Sequence, residues 1–169
     1  MHAVVVYESH WGNTAAVARA IAEGIGPEAA AMTTDEATPA VIAGADLLIA
    51  GAPVVGFRLA TDAIRAGLYN ETGAPNTADT FHPSMRSWLE DLPTGHAPVA
   101  AFETRFRFSP GGAVGTITRE LERAGYRPVA KGQKFLVTGK FGPLKAGELE
   151  RARRWGAELV AAAQDGRPS

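Results

Sequence analysis

At 169 residues, 46% of them hydrophobic, the chain has the length of one domain that buries a core without disulfides or metals, and residues 1–169 are read as such a domain. The absence of cysteine excludes disulfides, thiolate zinc sites, Cys-ligated iron–sulfur clusters and dithiol redox chemistry, so a redox role would need a bound cofactor. A net charge of −1 argues against a general nucleic-acid binder, and the lack of a long apolar run or a basic leader predicts a cytoplasmic protein with no membrane span.

Val4-Val5-Val6-Tyr7 reads as a buried strand, Glu8 to Thr14 as a short turn, and Ala15 to Ala22 as the body of a helix ending near Gly24 to Gly26. The first N–H groups of such a helix lack internal partners and carry its positive dipole end, so the turn suits an anion. Ser9, Asn13 and Thr14 can add side-chain donors, and Gly12 allows a close backbone approach or positive φ. Tyr7 and Glu8 are read as structural, with a bond from Glu8 to the turn's own backbone as the alternative, and His10 is expected to face solvent beside the anion.

Glu28 to Thr33 predicts a short second strand, and Thr38 to Ile42 a brief helix with Pro39 at its start. Ala45 to Gly51, apolar throughout and followed by Pro53, predicts a central parallel strand. Roughly forty-five residues then precede the next strand, with helices expected over Leu59 to Leu68 and Pro83 to Leu92 and an exposed, lid-like loop over Tyr69 to Thr80. Pro98 to Glu103 predicts the fourth strand, Thr104 to Gly112 a loop, Ala113 to Ala124 a helix closed by Gly125, Lys134 to Thr138 the fifth strand, and Gly147 to Ala163 a long amphipathic helix. Gly111 to Gly115 is read as a flexible turn entering a helix, and Trp155 as a core residue of the last one. Strands and helices alternating in this way predict an α/β fold, an open parallel sheet covered on both faces.

The turn Ser9, Gly12, Thr14 resembles the phosphate loop of the flavodoxins, with Trp11 where that family has a middle Thr and so with one hydroxyl donor fewer. Gly51-Ala52-Pro53 and Phe102 to Arg105 resemble the family's second and third loops, and Gly142-Pro143-Leu144 with Gly147 to Ala152 and Trp155-Gly156 its C-terminal run. The resemblance implies the flavodoxin-like three-layer sandwich, a five-stranded parallel sheet in the order 2-1-3-4-5. It further implies FMN, with phosphate on Ser9, His10, Trp11, Gly12, Asn13 and Thr14. The ring would lie between Ala52, Pro53, Val54, Val55, Gly56 and Phe57 on one side and Thr104, Arg105, Phe106, Arg107 and Phe108 on the other.

Three functions are compatible with these motifs. The first is an FMN-binding redox protein passing electrons to partner proteins or small acceptors. The others are an FMN-dependent quinone reductase-type oxidoreductase and a flavin-free domain that serves as a binding or regulatory module. Walker, Gly-x-Gly-x-x-Gly and Gly-x-Ser-x-Gly patterns are missing, and the four histidines show no metal-ligand spacing. Two guanidinium groups, Arg105 and Arg107, are expected on one side of the loop after the fourth strand, where a fixed cation would favour the fully reduced, anionic flavin.

Overall fold

The computed structural model describes residues 1–165. Strand β1 (Ala3–Tyr7) is followed by α1 (Asn13–Ile25), β2 (Ala29–Thr33), α2 (Pro39–Ala43), β3 (Leu47–Val55) and β4 (Arg58–Leu59). Then come α3 (Asp62–Leu68), α4 (Met85–Glu90), β5 (Pro98–Arg105), α5 (Val114–Arg123), β6 (Arg127–Pro128), β7 (Gln133–Leu136) and α6 (Glu148–Asp165). The parallel sheet runs β2-β1-β3-β5, and its fifth position is shared by β6 and β7, which pair with opposite ends of β5. The expected order holds, but with seven strands instead of five. The interruption of the fifth strand at Val129 to Gly132 and the hairpin strand β4 leave no signal in hydrophobic periodicity.

Period-two alternation in β1 divides the core. Ala3 and Val5 face a layer built from Val17, Ala18 and Ile21 of α1 and Trp155 and Leu159 of α6, while Val4 and Val6 face Trp88 and Leu89 of α4 and Ile117 and Leu121 of α5. Trp155 is a core residue as expected, tilted against Phe135. Helices α1 and α6 approach closely through glycines: a Cβ on Gly24 would sit 1.9 Å from the Arg153 carbonyl oxygen, and one on Gly156 2.2 Å from that of Ile21.

Side-chain caps explain three helix starts. The hydroxyls of Thr38, Thr61 and Ser84 accept from Val41, Ile64 and Ser87 N–H groups at α2, α3 and α4. The cap at Thr61 moves the start of α3 from the expected Leu59 to Asp62, because Leu59 is taken by the β4 pairing with Val54. Charges of the two halves of the chain intermix: Arg153 Nε donates to Glu23 at 2.7 Å, and Lys140 pairs with Glu71. Among the described residues no helix is long and apolar enough to cross a membrane.

Candidate functional site

The carboxyl ends of β1, β3, β5 and β7 open on one crevice, where the winding direction of the sheet reverses. A cavity of about 230 Å³ lies there. Its polar end is the turn after β1, represented by Ser9, His10, Trp11, Asn13 and Thr14. Its apolar wall is Pro53, Val54, Val55, Gly56 and Phe57, and the opposite side is Thr104, Arg105 and Phe106. Four expected residues lie outside the lining. Ala52 is fully buried in the core beneath, Gly12 belongs to the outer side of the turn, and Arg107 and Phe108 project beyond the mouth.

Gly12, at φ 95°, turns the chain into α1 without offering a side-chain cap. Ser9 Oγ accepts from Gly12 N–H and Ala15 N–H, both at 3.2 Å, so in this state Ser9 serves the turn itself as an acceptor. The N–H groups of Asn13 and Thr14 have no partner among the described residues, and they belong to two residues that line the cavity. Thr14 Oγ1 lies 2.8 Å from Thr104 Oγ1, a buried link between α1 and β5. Asn13 Nδ2 donates to the Phe141 carbonyl at 3.1 Å, and the Trp11 ring meets Phe141 edge-to-face at 4.8 Å. The indole N–H of Trp11 is buried without an acceptor.

Leu68, Ser109, Val137 and Lys140 also line the cavity and were not anticipated. The signal for Val137 and Lys140 was their place after the last strand, on the same edge as the other loops, and that for Ser109 its place in the loop Thr104 to Gly112; Leu68 arrives through the packing of α3 and carries none.

Several local expectations are corrected. Strand β3 continues to Val55 and β5 to Arg105, so Gly51-Ala52-Pro53 and Phe102 to Arg105 are paired strand, not loop: Pro53 stands opposite Thr104. Glu8 has the structural role expected of it and not the alternative one: it leaves the turn's backbone alone and accepts from Met85 N–H at 3.0 Å, fixing α4. His10 is buried, donating from Nδ1 to the Asp79 carbonyl at 3.1 Å while its own carbonyl accepts from Asp79 N–H at 2.9 Å. The loop over Tyr69 to Thr80 is thereby pinned at one end, with Ala78 fully buried.

The two arginines part company because the strand ends between them. Arg105 is buried, its Nη1 donating to Glu103 Oε1 at 2.9 Å and to the Gly111 carbonyl at 2.8 Å. Arg107 is exposed, with its guanidinium 5.4 Å from the centre of the Phe108 ring. Glu103 Oε2 accepts from Ala113 N–H at 2.6 Å and Val114 N–H at 2.8 Å, so the start of α5 is filled by a carboxylate from the chain itself. Gly111 and Gly112 form the turn entering that helix, as expected. Among the described residues no group of three or more His, Asp or Glu side chains could hold a metal ion.

No protein-family profile and no curated protein sequence matches the chain. Solved structures do. A flavodoxin from the domain Archaea superposes with a TM-score of 0.68 at 17% identity, over 97% of this chain and 99% of that one. Oxidised Flavodoxin 1 from Bacillus cereus gives 0.65 at 19% identity, over 94% and 97%. A flavodoxin, WrbA-like protein from Agrobacterium tumefaciens gives 0.60 at 18%, over 98% of both chains. The fold is flavodoxin-like.

Proposed function

We propose that this flavodoxin-like protein binds FMN in the cavity at the carboxyl edge of the sheet and carries electrons to a partner protein. The observation that carries the proposal is the polarity of the cavity: the unpartnered N–H groups of Asn13 and Thr14 stand at one end, and an apolar wall from Pro53 to Phe57 at the other. FMN has the matching chemistry, an anionic phosphate on a polar chain ending in a flat, largely apolar ring. Bound there, it would supply the one- or two-electron chemistry that a chain without cysteine lacks.

The residues present fit that ligand. The first turn of α1, thirteen residues long, presents N–H groups and its positive dipole end to the phosphate. Ser9, Thr14 and Thr104 hold hydroxyls in the lining, and the buried Trp11 indole N–H supplies a donor where the flavodoxin pattern has a hydroxyl. Pro53, Val54 and Val55 exclude water from the ring, and Phe57 and Phe106 offer aromatic faces at the mouth.

Titration with FMN and with riboflavin, followed by flavin fluorescence, tests the assignment. Two charge-assisted hydrogen bonds of about 1.5 to 3 kcal/mol each make FMN the tighter ligand by at least about 100-fold. Equal affinity for the two flavins, or binding of neither, overturns it.

A further inference from the structure

Two loops at the mouth of the cavity form a single ledge. Gly56 and Phe57, at φ 58° and 66°, make the two-residue turn between β3 and β4, with both residues in the left-handed region that such hairpins require. Gly112 N–H donates to the Phe57 carbonyl at 3.0 Å, and Arg58 bridges to Gly112, so the turn is joined to the loop after β5. On this ledge Phe57 is 61% exposed, Phe106 46% and Phe108 88%. A phenylalanine in a left-handed conformation is strained relative to glycine at the same place, and here the strained residue presents its ring to solvent.

The ledge is also cationic. Arg58 and Arg107 are exposed, and neither has an acidic partner among the described residues. The acids around them do little to offset this charge. Glu103, four residues before Arg107, is buried against Arg105; Glu71 is paired with Lys140; Asp62, beyond Arg58, is a single charge against two.

Arg58, Arg107 and Phe108 do not line the cavity, so a small molecule inside it would not touch them. They lie outside it and are exposed, where only a body too large to enter the cavity would meet them together. From this we infer that the redox partner is a protein whose docking face is acidic, with apolar surface at its centre. The inference rests on the proposal that FMN lies in the cavity, and it concerns what meets the protein there. Charge of one sign around an apolar patch steers association and sets its salt dependence. It acts against the protein's overall charge of −1, which would favour a basic partner.

Cytochrome c offers one haem protein in two charge forms, native and basic or succinylated and acidic. The FMN-loaded protein is reduced photochemically and mixed with each form in a stopped-flow instrument at about 10 mM and about 300 mM ionic strength, across which screening changes the reach of charge several-fold. The expected result is that at low salt the succinylated form is reduced at least about fivefold faster than the native form, and that salt abolishes the preference. Combined Arg58→Gln and Arg107→Gln substitution should remove that preference while flavin absorbance is retained. A faster reaction with native cytochrome c, or a preference that the double substitution leaves intact, overturns the inference. If the protein holds no flavin, its visible spectrum says so, and calorimetric titration of the flavin-free protein with both cytochrome forms still reads the docking preference. Tighter, salt-sensitive binding of the succinylated form then supports the ledge, and tighter or equal binding of the native form overturns it.

Discussion

Two helices begin on the same edge of the sheet with glycine at or just before their starts, and they meet opposite fates. At α1 the N–H groups of Asn13 and Thr14 are left without a protein partner beside a cavity. At α5 the equivalent groups of Ala113 and Val114 close on Glu103, whose other oxygen holds Arg105. The difference lies in the strand behind each helix. β5 points a carboxylate at α5, whereas the carboxylate that follows β1, Glu8, is turned to Met85 at the start of α4. A helix start is therefore a binding site only where the fold withholds its own anion.

The largest expected effect comes from breaking the internal closure. Glu103→Ala removes the acceptor for two backbone N–H groups and strands Arg105 in the core, which should destabilise the protein by about 3 to 5 kcal/mol in urea denaturation. Milder loss in Glu103→Gln would show how much of this is charge.

At the open start, Thr14→Ala should weaken FMN by about tenfold while riboflavin hardly changes, since the lost hydroxyl serves the phosphate end. Equal losses for both flavins would place the hydroxyl's role in the Thr14–Thr104 link instead.

α6 is an intermediate case, with its anion on its own first residue. Burial pushes the Glu148 carboxyl up, but hydrogen bonds from Arg151 and from Leu136 N–H outweigh it and hold the group below the usual carboxylate range. A depressed folded-state value stabilises the protein above the ordinary carboxylate pKa, and this is lost as pH falls through the folded value. Glu148→Gln should therefore lower the urea midpoint at neutral pH, and the gap from the parent protein should narrow as pH falls through the parent's depressed carboxyl value. A gap of constant size across that range would contradict the linkage.

The smallest effect is expected at Trp11. Trp11→Phe keeps an aromatic ring against Phe141 but deletes the buried indole N–H, and should reduce FMN affinity about threefold with no change in thermal stability. Unchanged affinity would mean that this donor does not reach the ligand.

Much of the fold was legible because it rests on local signals. The apolar run in β1, the alternation of strand and helix and the apolar stripe of α6 placed the open parallel sheet and Trp155 correctly, while the order of its strands came from the resemblance to the flavodoxins. Boundaries were less legible where pairing overrode local composition. Pro53 reads as a strand breaker, yet it lies in β3, where Val54 and Val55 pair with β4 and Pro53 stands opposite Thr104 of β5. For the site, the residues after β1 could be found from the turn and helix alone. Val137 and Lys140 were legible only through their place after the last strand, and Leu68 could not be found, because it reaches the cavity from a helix whose packing no local signal gives.

The sequence by itself determined the period of each main element, the absence of cysteine chemistry and the place of the turn Ser9 to Thr14 between the first strand and helix, since these depend on neighbouring residues only. The partners of the charged side chains were decided by tertiary structure. Glu8 found Met85, Glu103 and Arg105 found each other at the start of α5, and Arg58 and Arg107 were left facing solvent. A buried charge must find its counter-charge or hydrogen-bond donor wherever the fold brings one, whether two residues along the strand, as Glu103 and Arg105 do, or in a distant helix, as Glu8 does at Met85.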